Sequence, residues 1–293
     1  MSKAESPGII FHEDVESFRE ALRFTAAESG FGARLIEKDY FCTALLAYLC
    51  ATRGGLVFKG GTCLAKVHAG FYRLSEDLDF DILASLKVSR SGRQKLIEES
   101  KSLFEGLSKR LSGLRLLQPL KGANNSTQYV AVVGYTSVLS PQEQNIKIEI
   151  SLREPLLVPQ VQADAQTLLL DPVSREAVVP PISVVCMAKT EAYAEKFRAA
   201  LSRRDVAIRD FYDIDHAVRK GGLNPEDEEL VKQVRQKLGI PGNEAVDVSE
   251  KRLSALRQQI DPQLRPVLRE RDFGEFDLER AFKIVVDMAK AAG

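Results

Sequence analysis

The chain has 293 residues, 44% hydrophobic and 28% charged, and its 41 basic and 41 acidic side chains cancel. This composition excludes disordered and fibrous proteins. The balanced charge excludes a chain that coats nucleic acid or an anionic membrane by bulk attraction, so any such contact needs a local patch.

The length allows one elaborated domain or two, and two are expected, at 1–180 and 181–293. No run approaches the eighteen or so apolar residues of a membrane span, and the opening "MSKAESPGII" lacks the pattern of a signal peptide, so a cytoplasmic protein is expected. Cys42, Cys50, Cys63 and Cys186 form no C-x-x-C pair and are expected to be buried free thiols rather than disulfides or zinc ligands. His12, His68 and His216 are dispersed, and structural or surface roles are expected for them.

Apolar residues at helical spacing predict two amphipathic helices over 12–29 and 34–52. "GLVFKG" reads as a short strand closed by glycine, and Thr62 as a cap for the helix "CLAKVHAGFY" that follows. "LDFDIL" alternates as a strand does, and a charged helix is expected over about 91–112. "TQYVAVVGYTSV" and "NIKIEISLRE" carry the β-branched alternation of two more strands. The text from "REPLLVPQ" to "QADAQ" is proline-bearing and irregular, and "TLLLDPVSREAVVPP" fits a hairpin. From "ISVVCMAKTEAYAEKF" onward every long segment has helical period. The expected class is α+β: a mixed β-sheet core with flanking helices, then a C-terminal α-helical bundle.

The chemistry concentrates in "VFKGGTCLAKVHAGFYRLSEDLDFDI". On a strand, Asp77, Asp79 and Asp81 share one face while Leu78, Phe80 and Ile82 enter the core. Successive carboxylates about 7 Å apart repel by about 2 kcal/mol at an effective dielectric of 20. A hard divalent cation, magnesium or manganese, removes that cost; a solvated edge strand tolerates it. Gly60 and Gly61 permit close approach of backbone to a phosphate, or make an ordinary turn. The stretch is no P-loop, because Ala65 and Val67 stand where glycine and a hydroxyl residue are required around the lysine. In "NIKIEISLR", Glu149 shares a polar face with Lys147 and Ser151 and either completes a metal site or pairs with Lys147.

A glycine turn followed by D-x-D on a strand resembles the polymerase-β-like nucleotidyltransferases. Read as one unit, "FKGGTCLAKVHAGFYRLSEDLDFDI" is similar to the K-G-G-T-x-L-x-K … R-x-S-x-D-x-D-F signature of the AbiE-type (AbiEii) toxin family. "IEKDYFCTALL" resembles the helix that precedes the signature, and "AEKFRAALSRRDVAIRDFYDI" resembles the family's E-K-x-x-A … R-D-x-Y-D stretch. The three motifs occur in order over most of 36–215.

The resemblance implies roles by position. Asp77 and Asp79 bind metal, with Glu149 as the third carboxylate. Gly60, Gly61, Thr62 and Lys66 surround the nucleotide phosphates, with Lys59, Arg73 and Ser75 close by; Ser75 is also a position open to modification. Lys196 and Asp210 serve catalysis, with Lys189 and Asp213 as reserves because the spacing here is about two residues longer than expected. Arg198, Arg203, Arg204 and Arg209 form a local RNA-binding patch or a solvated helix face. The implied function is a type IV toxin that uses Mg2+ or Mn2+ to move nucleotides from an NTP to RNA, most simply the tRNA 3' end, and so inhibits translation, with a cognate antitoxin as partner. Alternatives are a kinase or nucleotidyltransferase acting on protein, and a D-x-D glycosyltransferase.

Overall fold

The computed structural model describes residues 9–51, 55–85 and 87–293. The opening segment and the predicted end of the second helix at Thr52 lie partly or wholly outside the described residues. The chain divides into two compact units, one comprising Met1–Leu156 with Gln160–Cys186, the other Leu157–Pro159 with Met187–Gly293.

The first unit is built on a sheet with seven strands among the described residues: β1 Leu56–Lys59, β2 Leu78–Ile82, β3 Leu114–Ala123, β4 Gln128–Thr136, β5 Glu143–Ser151, β6 Val161–Ala165 and β7 Ile182–Cys186. Their order is β3-β4-β5-β2-β1-β7-β6. The β2–β5 and β1–β7 pairs are parallel and the others antiparallel, so the sheet is mixed as expected. Helices α1 Val15–Ser29 and α2 Ala33–Cys50 precede the sheet, the short α3 Gly60–Cys63 runs into a π-turn Leu64–His68, and α4 Arg90–Leu96 and α5 Glu98–Arg110 follow β2.

Alternation sets the faces. Ile146, Ile148 and Ile150 of β5 and Leu78 and Phe80 of β2 are buried with Phe58 of β1 in one core. Burying each such side chain contributes about 1.5–3 kcal/mol. Phe41 of α2 stacks on Tyr135 of β4 at 4.2 Å between ring centroids, which fixes the helix on the sheet. Aspartate 14 caps α1 by accepting from the Ser17 amide, and Gly30 ends it in the left-handed conformation.

Three strands depart from the sequence reading. β3, which contains Pro119, lies at a sheet edge and carries two register irregularities, the setting in which a strand tolerates proline. β6 forms the other edge within text expected to be irregular. "ISVVC" is strand β7 rather than the start of a helix, so the first unit extends past the expected boundary at 180 to Cys186. The 91–112 helix is broken into α4 and α5. The hairpin over 167–181 is present as a bridge between Leu170 and Ala177.

The second unit is helical: α6 Lys189–Ser202, α7 Ile208–Arg219, α8 Glu228–Leu238, α9 Glu250–Arg257, α10 Glu270–Gly274 and α11 Leu278–Ala292. α6 packs on α7 and α8, and α11 crosses α6, α7 and α8. Glu191 of α6 accepts from the amides of Leu157 (2.9 Å) and Val158 (3.1 Å) and pairs with buried Lys237 of α8 at 2.8 Å. Among the described residues no helix is long and apolar enough to cross a membrane.

Candidate active site

β1 ends at Lys59, and the chain turns at once through Gly60, whose φ is +78°. A left-handed residue costs an L-amino acid about 1–2 kcal/mol, which glycine avoids. Space imposes the same choice: a Cβ on Gly60 would lie 2.3 Å from Asp79 Oδ2. The glycine turn is therefore in contact with the carboxylate two positions into the D-x-D segment. At Gly61 a Cβ would lie 2.5 Å from Arg73 Nη2 and 3.3 Å from Ser75 Oγ, so the R-x-S segment closes over the second glycine.

Thr62 does not cap a helix. Its hydroxyl donates to the backbone carbonyl of Asp77, tying the turn to the start of β2. Arg73 is buried and donates to the Leu74 carbonyl at 3.1 Å.

In the parallel β2–β5 ladder Asp79 stands opposite Glu149, and opposed residues share a face. The polar face of the sheet thus brings carboxylates from two strands together, with Asp77 one residue before β2. Lys147 Nζ lies 3.0 Å from Glu149 Oε2. Burial opposes charge on this lysine, but the bond from Glu149 and the fields of Asp77 and Asp79 prevail and raise its pKa. Both sequence alternatives for Glu149 are therefore present at once: it pairs with Lys147 and it borders the D-x-D carboxylates. An all-oxygen donor set of this kind fits a hard divalent cation.

Two lysines expected at or near the nucleotide are ion-paired within the protein. Lys66 is fully buried, and its ammonium sits 2.8 Å from Asp39 Oδ1 and 2.9 Å from Thr43 Oγ1 on α2. The π-turn carries it toward the helix, so it anchors the turn to α2 instead of projecting to a phosphate. Lys59 pairs with buried Asp81 at 2.6 Å, which neutralises the third aspartate of the alternation. The sequence reading assigned both to the nucleotide.

The charged triplet Glu37-Lys38-Asp39 in α2 was quoted for resemblance but given no role. Glu37 accepts from Ser137 Oγ (2.6 Å) and the Val138 amide (2.7 Å), Lys38 pairs with Glu76 (3.1 Å), and Asp39 holds Lys66. Burial raises the pKa of Glu37 and of Asp39 against these partners. Three consecutive charges in an otherwise apolar helix were the available signal, since buried charges are almost always paired.

In the helical unit Lys196 Nζ lies 2.8 Å from Asp210 Oδ1 and 2.9 Å from Asp213 Oδ2. The two acids left open by the spacing thus meet the same lysine. Lys189 is separate, with its ammonium 3.5 Å from the Gly221 carbonyl. The four arginines each have a protein contact: Arg198 with Glu195, Arg203 with Asp210 (3.6 Å), Arg204 with Glu244 (3.0 Å) and Arg209 with the Gln263 carbonyl (3.1 Å).

The model of the nucleotidyl transferase AbiEii toxin family, type IV toxin–antitoxin system, matches residues 44–285. The chain belongs to the AbiEii family. It is accordingly a nucleotidyltransferase of the type IV toxin–antitoxin class, a membership that carries with it a nucleoside triphosphate substrate and an antitoxin counterpart. No curated protein matches the sequence.

Among solved structures, the nucleotidyltransferase toxin MenT4 from Mycobacterium tuberculosis H37Rv is similar at a TM-score of 0.58 and 20% identity, over 94% of this chain and 92% of that one. JHP933 from Helicobacter pylori is similar at 0.51 and 18% identity, over 89% and 93%. These likenesses support the α+β fold of an AbiEii chain. In AbiEii terms, the signature's glycines and D-x-D are adjacent in space, while its second lysine is internal.

Proposed function

We propose that the glycine turn and the Asp77–Asp79–Glu149 face form the triphosphate site, and that the protein transfers a nucleotide from an NTP to RNA, the tRNA 3' end being the acceptor that would stop translation. The observation that carries this reading is the close approach of Gly60 to Asp79 with Glu149 in register beside it. A turn with no side chains of its own admits a phosphate against the backbone, next to the carboxylates that manage its counterion.

Magnesium held by Asp77, Asp79 and Glu149 would supply Lewis-acid stabilisation of charge on the transferring phosphate. The chain's own groups do the rest. Gly60 and Gly61 let Asp79, Arg73 and Ser75 approach the backbone of the turn closely, and Thr62, bonded to the Asp77 carbonyl, holds the turn in register with the carboxylates. Arg73 and Ser75, packed over Gly61, present a positive charge and a hydroxyl on the same side. Preorganised donors of this kind stabilise developing charge without reorganising during the reaction. Lys147 keeps the carboxylate cluster compensated until substrate arrives. Within the helical unit, Lys196 with Asp210 and Asp213 is a lysine–acid cluster of the kind that serves charge stabilisation and proton transfer.

Purified protein incubated with total RNA, magnesium and each labelled NTP in turn tests this. Label is expected on RNA, with one nucleotide preferred, and Asp77→Ala or Asp79→Ala abolishes it. Label on protein, with RNA unlabelled, would favour a protein acceptor, for which Ser75, whose Oγ lies 3.3 Å from a Cβ built on Gly61, is a candidate hydroxyl. Family membership sets the glycosyltransferase alternative aside.

A further inference from the structure

Three residues scattered in sequence converge next to the glycine turn. Cys63 closes α3, His68 closes the π-turn, and Cys186 closes β7, where it is paired with Phe58 of β1. Their ligand atoms all lie within 4.8 Å of one another, with both thiols buried and the imidazole half-buried. We propose that Cys63, His68 and Cys186 bind a thiophilic divalent cation, zinc, at a site separate from the Asp77–Asp79–Glu149 face. This goes beyond the proposed transfer reaction and does not depend on it.

The donor set decides the class of metal. Two sulfurs and an imidazole suit zinc, whereas magnesium and manganese prefer oxygen. With zinc–sulfur bonds of about 2.3 Å, a tetrahedral ion spaces its sulfurs about 3.8 Å apart. Ligand atoms all within 4.8 Å of one another are compatible with that spacing. Three protein ligands leave one tetrahedral position, and Cys50 is a further thiol within electrostatic range of both Cys63 and Cys186.

The cysteines of this unit behave differently from one another. Burial pushes the Cys42 thiol up and holds Cys50 at about 12, as for inert core thiols. Cys63 and Cys186 are the two thiols that sit against each other and beside an imidazole, a sulfur–sulfur–nitrogen grouping that the other two cysteines lack. All four cysteines are free thiols, as expected, with Cys50 only partly buried; β7 and the π-turn bring Cys63 and Cys186 together from segments more than a hundred residues apart. Since Cys63 directly follows Thr62, a bound ion would also pin the glycine turn from behind.

Cobalt(II) is the probe. Protein stripped with a chelator under reducing conditions and titrated with cobalt is expected to develop an intense sulfur-to-cobalt charge-transfer band that saturates at one equivalent and disappears on adding zinc. Oxygen ligands on the carboxylate face give no such band, so Asp79→Ala retains it, as does Cys42→Ser. Cys63→Ser and Cys186→Ser lose it, and His68→Ala weakens cobalt binding by about 10-fold or more, at least the loss typical of a supporting residue. Zinc should also raise the melting temperature of the wild type. A wild-type titration without the band overturns the proposal whatever the variants do, and so does a band that survives in the Cys63→Ser/Cys186→Ser double variant.

Discussion

Asp79 on β2 and Glu149 on β5 face each other across a parallel ladder, and Lys147, 3.0 Å from Glu149 Oε2, feels the field of both carboxylates. At the usual interstrand spacing of about 4.8 Å, two carboxylates repel by about 3 kcal/mol at an effective dielectric of 20. A site that holds such a pair stores repulsion for a cation to relieve. Asp79→Asn is therefore expected to raise the melting temperature of metal-free protein while abolishing nucleotidyl transfer. Magnesium should stabilise the wild type and leave Asp79→Asn unmoved. Paired thermal melts with and without magnesium check this, and equal magnesium shifts in both proteins would reject Asp79 as a ligand.

Gly60→Ala meets two obstacles, a φ of +78° and a contact of 2.3 Å with Asp79 Oδ2. Gly70, with φ +68° and open space around a built Cβ, meets only the first. Gly70→Ala should cost about 1–2 kcal/mol from backbone strain alone. Gly60→Ala should cost more and also displace Asp79, lowering transfer by at least about tenfold. Urea melts of both variants, with activity measured on the folded fraction, separate strain from contact.

The alternation in "LDFDIL" and "NIKIEIS" made β2 and β5 legible, and with them the shared face of Asp79 and Glu149. β7 was not legible because a five-residue segment with four apolar residues, two residues short of a helix, carries no periodicity that tells strand from helix. β3 hid behind Pro119 and the interspersed Arg115, Gln118 and Lys121, which break any alternation and which an edge strand accepts. The glycine turn beside the D-x-D was readable because the constraints on both are local. Lys59 and Lys66 were not, since a flexible lysine stem takes the nearest buried acid, and Asp81 and Asp39 become near only when strands pair and α2 packs. Convergence of Cys63, His68 and Cys186 depended on β7 and was invisible for the same reason.

Lys66 is expected to act through stability. Its ammonium and Asp39 form a buried pair with Thr43 as a third partner, and removing one member of such a pair leaves an uncompensated charge, at about 3–5 kcal/mol. Lys66→Met should lower stability by that amount, and adding Asp39→Leu should restore much of it. A double-mutant cycle by urea denaturation checks the coupling. Recovery of stability without recovery of activity would return Lys66 to the nucleotide site.

Acid should weaken the fold below about pH 6.5. Burial lowers the pKa of His12, with the Ser112 carbonyl and Glu13 opposing, and lowers that of His216, aided by Lys220 and Arg219 and opposed by Asp213 and Asp272. The unfolded imidazoles take up protons near pH 6.5 while the native ones remain neutral to lower pH. The unfolded state then binds more protons, so stability present above pH 6.5 is lost as pH falls toward the native values. Urea melts at pH 7.5 and 5.5 should show the loss, and His12→Gln should flatten part of the slope.

Asp210 and Asp213 share Lys196 but differ in surroundings. Asp213 has a side chain with no exposure, whereas Asp210 retains 6% and also reaches Arg203, itself 55% exposed. A carboxylate with a route to solvent is the one able to meet an acceptor, and the sealed one is the one whose charge the fold depends on. Asp213→Asn is expected to lower the melting temperature more than Asp210→Asn. Asp210→Asn should lower the rate of label transfer more, by about 10²-fold or greater if it acts as a general base. Parallel melts and initial rates on the two variants decide the assignment, and the reverse order of effects would exchange the two roles.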